Sequence, residues 1–108
     1  MTAKPVIPRA LARRDIEDAI DHYAAEAGET VALGFIDALQ VAFRAIAQRP
    51  AAGSPRIGLE LNLPGLRSRP LRRFPYRLFY IERDGHIDVW RVLHERRDIP
   101  AFLREAGR

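Results

Sequence analysis

The stretch from residue 66 to residue 98, LRSRPLRRFPYRLFYIERDGHIDVWRVLHERRD, decides the fold. It contains three apolar runs, which we interpret as neighbouring β-strands at Leu66–Phe74, Tyr76–Arg83 and His86–His94. The last two runs flank Asp84-Gly85. An Asp-Gly pair between two strands favours a type I′ turn, in which both central residues have positive φ. The sequence therefore predicts an antiparallel sheet that contains a tight hairpin.

A two-residue turn also fixes which residues face each other across the hairpin. The predicted pairs are Arg83 with His86, Ile81 with Asp88, Tyr80 with Val89, Phe79 with Trp90, Leu78 with Arg91, Arg77 with Val92, and Tyr76 with Leu93. Side chains alternate along a strand, so the hairpin has two apolar faces. One carries Tyr76, Leu78, Tyr80, Ile87, Val89 and Leu93, and the other carries Phe79, Ile81, Trp90 and Val92. We expect the rest of the chain to cover one face and to cover the other only partly, which leaves a surface for a partner.

The same stretch carries the basic charge of the protein. Nine arginines and five acidic residues lie between residues 66 and 98, which leaves +4, equal to the net charge of the whole chain. Residues 1–50 are close to neutral, with six basic and seven acidic residues. The sequence pI of about 10.3 favours an anionic partner, either nucleic acid or an acidic protein segment. A basic surface without a partner is the alternative.

The length and the amino-acid composition exclude several classes of protein. With 108 residues, the chain is expected to form one domain over residues 1–108. It has no cysteine, which excludes disulfides and thiolate metal sites, and its three scattered histidines do not predict a metal site. Phosphate-binding glycine loops are absent, so no cofactor is expected. No uninterrupted apolar run reaches the roughly 20 residues of a membrane span, and a cytoplasmic location without membrane contact is the expectation.

Two helices are predicted before the sheet. Lys4–Pro8 reads as an edge strand or an extended lead-in, because proline lacks the N–H that a central strand needs. Helical spacing of apolar residues predicts helices over Ala10–Ala27 and from about Glu29 to Gln48, with Gly28 between them. The apolar stripes consist of Ala12, Ile16, Ala19, Ile20, Tyr23 and Ala27 in the first helix, and Val31, Phe35, Ala38, Leu39, Ala42, Phe43 and Ile46 in the second. The acidic residues Asp15, Glu17, Asp18, Asp21 and Glu26 are placed on the other side of the first helix.

The segments that flank the sheet are predicted to be short. Pro50–Pro64 is loop-like, and Ile99–Arg104 reads as a last helical turn with Asp98 as its N-cap and Pro100 in its first turn. The predicted fold is α+β: an N-terminal strand, an antiparallel helical hairpin packed on a mainly antiparallel sheet of about four strands, and a short C-terminal helical turn.

With these elements in order, the chain resembles the RelE/ParE superfamily of bacterial toxins from type II toxin–antitoxin modules, and its ParE branch in particular. The marks run along nearly the whole chain: Asp15-Ile16 with Ile20 and Tyr23, Arg49-Pro50 with Gly53, Leu66-Arg67, the run from Phe74 to Tyr80, and Ile87, Val92, His94 and Arg96-Arg97-Asp98. The resemblance implies the strand–helix–helix–three-strand fold that the apolar pattern also predicts.

The resemblance also implies partners. It predicts a ParD-like antitoxin whose N-terminal half binds DNA and whose acidic, amphipathic tail wraps the toxin. The expected complex is a hetero-oligomer with two or more copies of each chain, which contacts DNA indirectly through the antitoxin. Free ParE-type toxins are described as poisoning DNA gyrase, whereas RelE-type relatives cleave messenger RNA on the ribosome.

Candidate site residues follow from both arguments. The residues proposed for antitoxin binding are Arg67, Arg69, Arg73, Arg77, Phe79 and Trp90, although Phe79 and Trp90 could instead form a second small core under the C-terminal segment. Those proposed for target binding are His94, Arg96 and Arg97, with a solvated charge pair as the alternative for the arginines.

A ribonuclease would instead use His94 as the general base and Arg91 and Arg97 as phosphate-binding cations. The RelE branch often places a tyrosine near the C-terminus as well, and this chain has none beyond Tyr80. That departure favours the non-catalytic reading. His94 then caps the end of the sheet by a hydrogen bond to a backbone carbonyl.

Overall fold

Residues 3–107 are described by a computed structural model. The elements are, in chain order, β1 (Val6–Pro8), α1 (Ala10–Ala27), α2 (Glu29–Gln48), a 3₁₀ turn (Pro50–Ala52), α3 (Arg56–Glu60), β2 (Leu66–Pro70), β3 (Tyr76–Glu82), β4 (Ile87–His94) and α4 (Ile99–Ala106). The strands form one sheet in the order β1-β4-β3-β2, in which β1 is parallel to β4 and the other pairs are antiparallel. The predicted fold class is confirmed.

The helical hairpin covers one face of the sheet. Gly28, with a φ of 92°, makes the whole connection between α1 and α2, so the two helices lie side by side. The apolar stripe of α2 packs on the sheet, where Phe35 and Tyr80 are completely buried. The length and composition of α2 would also suit a membrane span. A helix that packs in a protein core can have the same length and composition.

A β-bulge interrupts the hairpin register at Trp90. Pairing follows the prediction from the turn to Tyr80 opposite Val89, but Phe79 faces Arg91, which leaves Trp90 as an extra residue in β4. Beyond the bulge the predicted pairs are therefore wrong: Leu78 faces Val92, Arg77 faces Leu93 and Tyr76 faces His94. One extra residue reverses the alternation, so Val92 packs under the helical hairpin and Leu93 packs on the opposite face.

The hairpin turn also differs from the prediction. The N–H of Arg83 donates to the carbonyl of His86 at 2.8 Å, so the turn is closed around Asp84 and Gly85. Neither of these two residues has a positive φ, and the type I′ assignment is wrong. Asp-Gly permits the left-handed conformation without requiring it.

The second face of the sheet is covered by α4. This helix is longer than the predicted turn and begins as expected, because the Asp98 carboxylate accepts from the N–H of Ala101 at 3.3 Å. Under it lies a second core of Leu66, Phe79, Ile81, Trp90, Leu93 and Leu103. Phe79 is 1% exposed and Trp90 is 6% exposed, so the expectation of a partly open face is wrong. These two residues form the second small core, the alternative that the sequence left open.

The segment from Pro50 to Pro64, predicted as a loop, holds the 3₁₀ turn and α3. It also pairs with the outer edge of β2 at one point, where Ser54 and Ser68 exchange two backbone hydrogen bonds of 2.9 Å. Gly53 lies against the Tyr80 hydroxyl, which donates to the Pro50 carbonyl at 2.7 Å. Any side chain at position 53 would collide with that hydroxyl, so this glycine is required by close packing.

Candidate functional site

A cleft of about 470 Å³ lies between α1, the end of β4 and α4. Its lining residues are Leu11, Arg14, Asp15, Asp18, Ala19, His22, Tyr76, Arg91, Val92, Leu93, His94, Arg97 and Phe102. Three sequence-predicted site residues, His94, Arg91 and Arg97, therefore meet in one place. Arg96 is not among the lining residues.

Asp15 joins α1 to β4 at the base of the cleft. Strand β1 pairs with β4 only as far as Val89, so among residues 3–107 no strand pairs with the next part of the β4 edge. There the Asp15 carboxylate accepts from the N–H of Val92 at 3.0 Å and from two nitrogens of Arg91 at 2.7 Å each. The prediction that Asp15 lies on the solvent side of α1 is wrong, because the unpaired strand edge attracts its carboxylate.

Arg91 is bound within the fold rather than available to a ligand. Its residue is 8% exposed, and its guanidinium lies 5.0 Å from the centre of the Phe102 ring. The hydrogen bonds that Arg91 donates to the Asp15 carboxylate raise the pKa of Arg91, and burial acts in the opposite direction. The geometry thus gives Arg91 a structural role: it fixes the end of β4 to α1 and to α4.

His94 forms a local cap. Its Nδ1 accepts from the backbone N–H of Arg96 at 3.0 Å, so the capping partner is an N–H and not the predicted carbonyl. When one nitrogen of a neutral imidazole is an acceptor, the other carries the proton. Nε2 of His94 is therefore a hydrogen-bond donor. Its ring contacts Tyr76 edge to face, with 5.1 Å between the ring centres.

Tyr76 is the site residue that sequence reasoning missed. It lies directly opposite His94 once the bulge has shifted the register, and its half-buried side chain lines the cleft. Burial raises the pKa of Tyr76; the nearby Tyr23 and Asp15 act in the same direction and Arg97 opposes them. Its hydroxyl is therefore protonated at neutral pH and adds a second donor beside His94.

Two exposed arginines border the cleft. Arg14 projects from α1, and Arg97 follows β4 with its guanidinium 5.7 Å from the centre of the Phe102 ring. Neither side chain makes an ion pair or a hydrogen bond within residues 3–107. Both can therefore bind an anionic ligand without breaking a contact of the fold.

The four arginines proposed for antitoxin binding lie away from the cleft and on both sides of the sheet. Arg67 faces Tyr80 across the strands and donates to the Gly53 carbonyl at 2.8 Å. Arg69 faces Leu78, so it shares the helical-hairpin side. Arg77 donates to the Ser68 hydroxyl at 3.0 Å on the α4 side, and Arg73 lies exposed in the loop before β3 with a φ of 72°. The structure does not gather these residues onto one surface.

A second charged network binds the C-terminal end of α4. Asp88 accepts from Arg9 at 2.9 and 3.0 Å, from Arg83 at 3.1 and 3.3 Å, and from the Trp90 indole at 3.2 Å. Arg9 also donates to the carbonyl of Ala106 at 3.0 Å and lies 4.5 Å from the Trp90 ring centre. Burial alone would raise the pKa of Asp88, but the hydrogen bonds from Arg9 and Arg83 outweigh it and lower the pKa. Alternating strand patterns carry no signal for this network.

The site has no cluster that suggests a metal. Among residues 3–107, no group of three or more histidine, aspartate or glutamate side chains is placed to hold an ion. The cleft is lined by hydrogen-bond donors, cations and carboxylates together with apolar side chains.

The family model described as "ParE toxin of type II toxin-antitoxin system, parDE" matches residues 6–99. The chain belongs to the ParE toxin family. The match covers β1 through β4 and reaches the first residue of α4, so it includes most of the cleft lining. The protein is therefore the toxin component of a type II toxin–antitoxin system, and a system of this kind implies an antitoxin partner.

A solved structure described as "Chromosomal ParDE TA system from P. aeruginosa" is similar to this ParE toxin. The TM-score is 0.71 at 20% sequence identity, over 85% of this chain and 96% of that chain. At that identity the likeness shows the shared fold alone. None of the curated proteins with which the chain was compared matches it.

Proposed function

We propose that this ParE toxin is neutralised by a ParD-like antitoxin and that, when free, it inhibits DNA gyrase without cleaving RNA. It acts in the cytoplasm, and its complex contains at least two copies of each chain and contacts DNA through the antitoxin. The observation that carries the non-catalytic reading is the hydrogen bonding of His94. Its acceptor nitrogen is occupied by the Arg96 N–H, so His94 does not offer a free base to the cleft.

RNA cleavage is the second candidate, and the position of Tyr76 is the observation that favours it. This tyrosine stands beside His94 and supplies the hydroxyl that the C-terminal segment lacks. Cleavage by a 2′-hydroxyl also needs a group that removes the proton of that hydroxyl. His94, the candidate base, would first have to lose the hydrogen bond that its Nδ1 accepts from the Arg96 N–H. Arg91, a candidate phosphate-binding cation, is already bound to Asp15. The constellation therefore supports binding better than cleavage.

The partner is tested by co-expression with the product of the neighbouring gene. We expect a soluble complex with nanomolar or tighter affinity, which corresponds to a binding free energy of about −12 kcal/mol or more favourable. Binding is measured by isothermal titration after the two chains are separated and refolded. Failure of the chains to co-purify at moderate salt would count against a ParD-like partner.

The target is tested with purified toxin in two parallel assays, gyrase supercoiling and cleavage of messenger RNA on translating ribosomes. We expect inhibition in the first and no product in the second. His94→Gln keeps hydrogen bonding but removes basicity, so toxicity should remain. Reversing both charges at Arg96 and Arg97 should weaken toxicity while the thermal melt stays unchanged, since both side chains are exposed. Ribosome-dependent cleavage that disappears in His94→Gln would assign the protein to the ribonuclease branch instead.

A further inference from the structure

The outer edge of the sheet carries a cluster of arginines. Between residues 61 and 81 the chain has no aspartate or glutamate and five arginines, Arg67, Arg69, Arg72, Arg73 and Arg77. The carboxylates that flank this segment are already bound, Glu60 to Arg56 at 3.0 Å and Glu82 to Lys4 at 2.9 Å. None of the five arginines forms an ion pair with the residues that the structure describes. The positive charge at this edge is therefore available to an anion from outside the chain.

Four of these residues form an arginine edge along β2, the last strand of the sheet, and the loop that continues it. Arg67 and Arg69 lie on β2 and share the helical-hairpin side. Arg72 and Arg73 are exposed in the loop between β2 and β3. Arg77 is not part of the arginine edge, because it is bound on the α4 side of the sheet. The four guanidinium groups therefore follow one another along one border of the molecule.

The loop that carries Arg72 and Arg73 is fixed at both ends. The Leu71 N–H donates to the Tyr76 carbonyl at 2.9 Å, and the Leu71 side chain is buried under the helical hairpin. Phe74 packs against the same core. Between these anchors Arg73 has a φ of 72°, a conformation that glycine adopts without strain and other residues rarely adopt. The loop therefore presents both guanidinium groups from a fixed backbone, and a glycine at position 73 would keep the loop while removing the charge.

The chemistry of the arginine edge suits a duplex of nucleic acid better than an acidic peptide or a single strand. No large apolar side chain is exposed between residues 61 and 81, all of which the structure describes, so an apolar-patterned peptide finds no apolar contacts there. Single strands bind by stacking their bases on free aromatic faces. The Phe74 ring beside the loop arginines is instead in contact with Tyr23 and Phe35, at 5.1 and 5.4 Å between ring centres. A duplex needs neither kind of contact, since it presents one phosphate charge per about 1.7 Å of its axis and guanidinium groups bind phosphates through paired hydrogen bonds.

We propose that the arginine edge binds the phosphate backbone of duplex DNA, independently of the base sequence. The duplex is DNA rather than RNA because gyrase and the antitoxin both bring this toxin next to DNA; in this respect the proposal rests on the function proposed above. The contact is made by the toxin itself and is additional to the one made through the antitoxin. The cleft residues His94 and Arg97 lie beyond β3, at the end of β4, and take no part in it. A toxin bound to DNA by the arginine edge therefore keeps its cleft open to a protein.

The test measures, by fluorescence anisotropy, how purified toxin binds a random-sequence DNA duplex of about two helical turns, roughly 20 base pairs. Wild-type toxin should bind, and its affinity should fall as the salt concentration rises. Arg72→Gln with Arg73→Gly removes two charges and should weaken binding at least about tenfold at about 0.1 M salt. Each lost phosphate contact should also make the slope of log affinity against log salt shallower by about 0.9, which gives about 1.8 for the double variant. The matched control, Arg13→Gln with Arg104→Gln, removes two exposed charges from α1 and α4 and should change the affinity less than about twofold.

Thermal melts separate a lost contact from a damaged fold. The glycine suits the positive φ at position 73, so Arg72→Gln with Arg73→Gly should not melt at a lower temperature than wild type. The weaker binding of this variant is then caused by the missing guanidinium groups.

Three results would overturn the proposal: no binding of the duplex by wild-type toxin, binding by the loop variant within about twofold of wild type, or an equal loss in the control. An RNA duplex or a single strand that binds more than about tenfold tighter than the DNA duplex would overturn it as well. Gyrase inhibition is measured separately on the same toxin. Inhibition by a toxin that binds no DNA would refute the arginine edge and leave the proposed function standing, whereas DNA binding without inhibition would refute the gyrase target and leave the arginine edge.

Discussion

Removing the Asp15 carboxylate should destabilise the toxin more than any other single change at a charged residue of α1. In Asp15→Ala the Arg91 guanidinium loses both of its 2.7 Å hydrogen bonds, in a place where its side chain is only 9% exposed. The Val92 N–H loses its partner at the same time. Breaking a buried ion pair by removing one partner costs about 3–5 kcal/mol, because the remaining charge stays buried without compensation. That is a large part of the roughly 5–15 kcal/mol by which a domain is stable.

The assay is urea unfolding followed by circular dichroism, with Asp18→Ala as the control. Asp18 is exposed on the same helix and has no ion-pair partner within the described residues, so its loss should change stability by less than about 0.5 kcal/mol. Adding Arg91→Met to Asp15→Ala removes the stranded charge and should restore part of the lost stability. A loss below about 1 kcal/mol for Asp15→Ala, or full additivity in the double variant, would show that this ion pair does not hold α1 to β4.

The remaining predictions concern the first core and the acid limit of stability. Phe35→Ala and Tyr80→Ala should each lower the free energy of unfolding by roughly 3–5 kcal/mol, because both side chains are fully buried between α2 and the sheet; a loss under about 1 kcal/mol in urea would contradict that placement. The folded-state pKa of Asp88 is lowered, so its stabilising contribution is present above the unfolded carboxyl pKa of about 3.9 and is lost as the pH falls further. Asp88→Asn should therefore flatten the decline of unfolding free energy below about pH 4, and an unchanged decline would show that other carboxyl groups cause it.

The sequence predicted the elements well because their signals are local. The ends of α1 and α2 follow from helical spacing, from Gly28 and from Pro50, and the structure places them at the predicted residues. The register was predicted correctly as far as Tyr80 opposite Val89, the part that is nearest to the turn. These features depend on residues that are close together in the chain, so a single sequence is enough to predict them.

The errors arise where distant parts of the chain compete for the same groups. A bulge at Trp90 has no marker in an alternating pattern, and it alone moved Val92 and Leu93 to opposite faces. Asp15 looks like one more acidic residue on a solvated helix until the short β1 leaves the edge of β4 open beside it. The cleft could be foreseen only in part, since Tyr76 reaches His94 through the bulge.

The strand order also determines at which point of its synthesis this toxin can fold. Pro8 pairs with Val89, and β4, the last strand to be made, lies between β1 and β3. At a synthesis rate of about 5–20 residues per second, residue 89 is added roughly 4–16 s after residue 8. For those seconds α1 and α2 have no β4 to pack against, and Asp15 lacks the strand edge that it binds. A nascent chain that stops before β4 therefore has neither a closed core nor a cleft, and the toxin can act only after β4 has been synthesised.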